Sequence, residues 1–92
     1  MNHGELVIPD PNVRLLFPND PHLRSFGYHY HQEILEIEFR TGEVYQYTGV
    51  PMYIPFGLIK AEDRKRFVRG YLYKTFFSRR VPVGLELFQR PE

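Results

Sequence analysis

The sequence predicts an α+β domain: a three-stranded antiparallel meander with two helices packed on one face, an extended N-terminal arm and a short C-terminal tail. Three observations predict it. Residues 34–48 alternate in polarity on both sides of Thr41-Gly42, the pattern of a β-hairpin. Residues 62–76 place Val68, Leu72 and Phe76 four apart with Phe67 and Tyr71 alongside, an apolar helical stripe. The hairpin precedes the helical region instead of alternating with it, which is the layout of segregated strands and helices.

The arm, residues 1–22, is punctuated by Pro9, Pro11, Pro18 and Pro21. Proline lacks the donor a central strand needs, so Leu6-Val7-Ile8 and Val13 to Phe17 read as edge strands at most. Leu23 to Tyr30 is aromatic-rich and loosely alternating, a first strand. Residues 34–40 and 43–48 form the hairpin. A three-residue loop, Arg40-Thr41-Gly42, needs a positive φ only at the glycine and avoids one at β-branched Thr41. That loop pairs Phe39 with Glu43, Ile37 with Tyr45 and Leu35 with Tyr47. One face then carries Leu35, Ile37, Phe39, Tyr45 and Tyr47. The other carries Glu36, Glu38, Val44 and Gln46 and is expected to face solvent. Pro55 suits a first helical turn, so a short helix is expected over about 53–61. A second is expected over about 62–76, with Glu62 and Asp63 at its dipole-favoured start and Gly70 as a weak point. Phe76 and Phe77 are expected to close the core, Arg79-Arg80 to form a solvated turn, and Val81 to Phe88 to form a late strand. The organisation is arm 1–22, domain 23–80 and tail 81–92. The expected core is Phe26 or Tyr28, Leu35, Ile37, Phe39, Tyr45, Tyr47, Leu58, Phe67, Leu72 and Phe76.

Ninety-two residues leave room for one domain, and 42% apolar residues suffice for a core. The absence of Cys excludes disulfides and thiolate zinc sites and points to a reducing cytoplasm. The N-terminus lacks the basic and apolar regions of a signal peptide, and no apolar run spans a membrane. Net charge is only +1, but it is unevenly placed. Residues 1–59 carry −4, residues 60–80 carry +6 and residues 81–92 carry −1.

Gly27-Tyr28, Leu35-x-Ile37-x-Phe39, Gly42, Tyr45-x-Tyr47, Val50-Pro51, Leu58, Ala61, Phe67 and Leu72 occur in an order and spacing that resembles the KTSC family. That family is named for a domain at the C-terminus of some lysyl-tRNA synthetases and also occurs as small bacterial proteins. The resemblance covers residues 25–77 and implies RNA binding through that company. The sequence departs from the family pattern at Tyr28-His29, Asp63-Arg64-Lys65 and Phe67-Val68-Arg69.

The cationic stretch is the leading candidate site. Arg64, Lys65, Arg66, Arg69 and Lys74 cannot all lie on the buried stripe, and exposed cations in a row neutralise phosphates. Tyr71 and Tyr73 interleave with them and are candidates for base stacking, Tyr71 being the better placed to pack. Tyr28, Tyr45 and Tyr47 share the apolar face and read as core with hydroxyls reaching edge partners. The expected function is a non-catalytic module that binds RNA or another polyanion through its basic helix. Two alternatives stand beside it. One is a protein-interaction or oligomerisation module, in which arm and tail pair across a two-fold axis in a homodimer or fold back in a monomer. The other is a small nucleotide-like ligand site beside Tyr28 and Tyr47. No cofactor and no metal are expected: His29 and His31 share a strand face, but a metal site needs a third or fourth ligand, and the spacing of Glu33 or His3 does not single out either. No catalytic residue is assigned, since Cys, a nucleophile elbow and a Gly-rich phosphate loop are all missing.

Overall fold

The computed structural model describes residues 14–88. Five strands form one antiparallel sheet, and their order in space is their order in the chain. They are β1 (Leu15–Leu16), β2 (Leu23–His29), β3 (Ile34–Phe39), β4 (Val44–Thr48) and β5 (Phe77–Val81). The expected meander is β2 to β4; a further strand lies at each edge, so three strands become five. β1 is too short for a period to show between prolines. β5 replaces both the expected turn at Arg79-Arg80 and the expected strand at 81–88, and Phe77, expected in the core, is exposed on it. An Arg pair suggests a solvated turn, yet charged residues are also the usual protection of an edge strand.

The hairpin follows the turn chemistry. Gly42 has φ +98°, its N–H donates to the Phe39 carbonyl at 2.9 Å, and the Phe39 N–H donates to the Glu43 carbonyl at 2.8 Å. Leu35 pairs with Tyr47 and Ile37 with Tyr45 as expected. Across the other edge of β4, Tyr45 faces Arg80 and Gln46 faces Arg79.

Helix α1 is Tyr53–Lys60. Helix α2, residues 64–75, begins as Arg64–Phe67, passes through a π turn at Val68–Leu72 and ends as Tyr73–Thr75. The Asp63 side chain caps it by accepting from the Arg66 N–H at 3.0 Å. The π turn contains Gly70, and the Tyr73 N–H donates to the Val68 carbonyl five residues back. No helix among the described residues is long and apolar enough to cross a membrane.

Both helices cover one sheet face. Phe17, Leu23, Phe26, Leu35, Ile37, Tyr47, Val50, Ile54, Leu58, Val68 and Leu72 form the core, with Tyr28, Phe39, Tyr45, Phe67 and Phe76 packed against it. Each fully buried Leu or Ile contributes about 1.5–3 kcal/mol by leaving water. Arg64 locks this layer together. Its guanidinium donates to the carbonyls of Leu58 and Ile59 at the end of α1, pairs with Asp20 at 3.3 Å and lies 4.2 Å from the centre of the Phe17 ring. For Asp20, burial alone would raise the carboxyl pKa. The N–H groups of Leu23 and His22, with Arg64, outweigh it and hold the group below its usual 3.8.

The other face is not solvated, contrary to the sequence expectation. Glu36 and Glu38 are buried. Residues 82–88 return across this face, and Arg14 covers it from the other end. The Glu36 carboxylate accepts from four donors: Arg14 at 2.5 Å, the Gln46 amide at 2.7 Å and the backbone N–H groups of Leu87 at 2.9 Å and Phe88 at 3.3 Å. Gln46 in turn accepts from Arg79. Glu38 accepts from the Ser25 hydroxyl at 2.8 Å. The burial of Glu36 is sustainable because its charge is paired with Arg14 and both of its oxygens accept hydrogen bonds. Phe88 packs its ring directly on Gly27, where any Cβ would overlap it. The described parts of arm and tail therefore lie on the chain's own sheet; Leu6-Val7-Ile8 lies outside the described residues.

Candidate functional site

Alternation along β4 places Glu43, Tyr45 and Tyr47 on the helix side of the sheet. Opposite them, α2 presents Lys65, Arg69 and Tyr73. In a regular helix, eight residues overshoot two turns. A π turn takes up one extra residue, so two turns use about eight, and Lys65 and Tyr73 come to lie on one line. Between these two walls is an open groove of about 630 Å³, lined also by His22, Phe39, Thr41 and Val68. Phe39 and Tyr45 pack edge to face, 5.9 Å between ring centres, and form its aromatic floor. Tyr45 is half-buried, whereas Tyr73 is 63% exposed.

Tyr47 lies at the back of the groove. Burial, with Tyr45 and Tyr73 close by, pushes its hydroxyl up to about 12 against the opposing pull of Arg69. Lys65 and Arg69 form no ion pair with any described residue. Two such cations above an aromatic floor can hold phosphate oxygens while a planar ring lies on tyrosine.

The other sequence candidates divide. Arg66 and Lys74 are exposed on α2 away from the groove lining. Arg64 is a correction: its donors serve the carbonyls of α1 and Asp20, so its role is structural. Tyr71 packs edge to face with Phe67 and Phe76 and does not line the groove. Tyr28 is also elsewhere. Its hydroxyl donates to the Val50 carbonyl at 2.5 Å, and burial, then nearby Glu33, raises its pKa. The groove therefore borders Tyr47 but not Tyr28. His29 and His31 have ring centres 6.2 Å apart, and no group of three or more metal-ligating side chains occurs among the described residues; His3 lies outside them. Sequence reasoning missed Glu43, Thr41 and His22. The first was accessible from strand parity, since Glu43 stands two residues before Tyr45.

The comparisons with known proteins agree with the residues. The KTSC domain model matches residues 20–76, well over half of the chain. The crystal structure of a KTSC domain protein from Yersinia pestis superposes with a TM-score of 0.69 at 30% identity, covering 75% of this chain and 96% of that one. An uncharacterised protein of Stutzerimonas stutzeri (strain A1501) is 43% identical over 44 residues, 48% of this chain; the match spans 62% of that relative's length. The motif positions of the resemblance explain themselves physically. Leu35, Ile37, Tyr47, Val50, Leu58 and Leu72 are core, Gly42 makes the turn, Gly27 receives Phe88 and Tyr28 ties β2 to Val50. With the family model, the solved fold and these motif residues all in agreement, the chain belongs to the KTSC domain family.

Proposed function

We propose that this domain is a non-catalytic module that binds single-stranded RNA in the groove between α2 and the β3–β4 hairpin. The observation that carries this reading is the pairing of Lys65 and Arg69, without an ion-pair partner among the described residues, with the exposed ring of Tyr73 and the Phe39–Tyr45 floor. Phosphates lie along the helix wall and a base lies on the aromatic floor. The open faces of the sheet do not serve as an RNA platform, because helices cover one and residues 82–88 cover the other. The absence of cysteine supports a cytoplasmic setting.

The test is fluorescence anisotropy with a labelled mixed-sequence RNA octamer across a salt series. Lys65→Gln with Arg69→Gln is expected to weaken binding and to lower the log–log salt slope by about 0.7 per lost phosphate contact. Arg66→Gln with Lys74→Gln is expected to change it less. Unchanged affinity and slope in the first pair would overturn the reading. Binding of polyphosphate as strong as that of RNA would reduce the module to a general polyanion binder.

A second reading, self-association, is favoured by the outer side of α1, where Tyr53 is 67% and Phe56 42% exposed with Met52 and Ile59 beside them. This surface replaces the arm and tail as the contact, because the described parts of both lie on their own sheet. Light scattering on wild type and Phe56→Lys tests it: a dimer converted to a monomer supports it, and a wild-type monomer removes it.

A further inference from the structure

A groove built only for phosphate has no use for a carboxylate, yet Glu43 lines this one together with Lys65 and Arg69. An acid there repels a plain polyanion. It is favourable only toward a ligand that also brings hydrogen-bond donors. The position of Glu43 suits such a ligand. It stands on the same face as Tyr45 and two residues along the strand, a step of roughly 6.5–7 Å, which is comparable to the reach of a base laid on that tyrosine. Its carboxylate is held but not saturated. The Thr41 hydroxyl is 3.4 Å from one oxygen, Arg80 is 3.6 Å from the other, and the side chain is 42% exposed. Both contacts are long enough to yield to shorter ones.

We infer that the groove reads a guanine base, with the Glu43 carboxylate accepting from its N1–H and N2–H while the ring lies on Tyr45; this rests on the RNA-binding reading above. The discrimination follows from the donors of each base. Guanine offers two adjacent donors to the two oxygens of a carboxylate. Adenine and cytosine each offer one amino donor beside a ring nitrogen lone pair that the carboxylate repels. Uracil offers one N–H between two carbonyls. An unpaired base exposes this edge fully, so the ligand is a guanine in a single strand or a free guanine nucleotide.

The experiment uses the full chain and four labelled RNA octamers: uridine alone, and uridine alternating with guanosine, adenosine or cytidine. The guanosine octamer is expected to bind about tenfold tighter than the others. In Glu43→Gln that preference is expected to shrink to within about twofold, while affinity for the uridine octamer does not fall and rises if anything, because the acid that repels phosphate is gone; thermal melts confirm that the variant is folded. Competition by guanosine monophosphate at concentrations like those of the octamer identifies the free nucleotide as the source, and failure to compete identifies the strand. Equal binding of all four octamers, still dependent on Lys65 and Arg69, would overturn the guanine inference and leave the RNA reading standing. A guanosine preference that survives in Glu43→Gln would overturn it also. No binding of any octamer would overturn both.

Discussion

Replacing Glu36 by Gln changes one atom and removes one charge, yet it should be among the most damaging single substitutions in this chain. Four donors converge on the carboxylate, two on each oxygen. An amide offers one acceptor oxygen and turns an NH₂ group toward the other pair of donors. Whichever way it flips, two buried donors lose their partner, at about 1–3 kcal/mol each. Arg14, its side chain 1% exposed, is at the same time left as an uncompensated buried cation, a loss of roughly 3–5 kcal/mol when one partner of a buried pair is removed. These two accounts overlap, so the expected destabilisation is about 4 kcal/mol, against a total stability of roughly 5–15 kcal/mol for a small domain. In a domain of this size that corresponds to a melting temperature lower by roughly 15–30 °C. Urea unfolding followed by tyrosine fluorescence measures it cleanly, because the chain has seven Tyr and no Trp. Adding Arg14→Met should recover part of the loss by removing the orphaned cation. Glu43→Gln, at an exposed pair, should cost less than about 1 kcal/mol. A Glu36→Gln protein within about 1 kcal/mol of wild type would refute the argument, because the carboxylate would then have to be solvated and the tail unseated.

Three further outcomes follow from packing and ionisation. Gly27→Ala would drive its methyl into the Phe88 ring; the tail should lift, stability should fall by about 1–3 kcal/mol, and amide exchange at Leu87 and Phe88 should accelerate. Tyr47 ionises near 12 in the folded chain against 10.0 unfolded. The folded state thus disfavours its phenolate, and stability present below pH 10 should be lost between about pH 10 and 12; Tyr47→Phe should flatten that alkaline limb in denaturation curves. Asp20 has a lowered pKa, so its contribution is present above the usual 3.8 and should be lost as pH falls through and below that value. Asp20→Asn should be less stable at neutral pH and show a shallower acid limb.

What the sequence reveals depends on how far apart the interacting residues lie. The β3–β4 register was readable because one local fact, the strain of a positive φ at Thr41, selects the three-residue loop and with it every pair in the hairpin. The α2 stripe was readable for the same reason. Glu36 and Glu38 were not. Alternation separates two faces, but it does not say what covers the second one. Here the cover comes from Arg14, 22 residues before Glu36, and from Phe88, 52 residues after it. Arg64 was misassigned by the same limit. Among five clustered cations, only the path of α1 and the arm shows which one has its donors already occupied. The groove was half legible: the basic helix and the tyrosines were in view, but their opposition across a cleft is tertiary.

The π turn in α2 makes the helix a phase shifter. It carries one residue more than a regular helix would need for the same span, and that surplus advances everything after it by about 100° of rotation. Val68 and Leu72, four residues apart, would share the core face in a regular helix too; what the surplus re-aims is the chain beyond them. A one-residue deletion at Gly70 would therefore do more than shorten a helix. It would turn Tyr73 off the line of Lys65 and move Phe76 on its approach to β5, dismantling the helix wall of the groove while changing no residue that lines it.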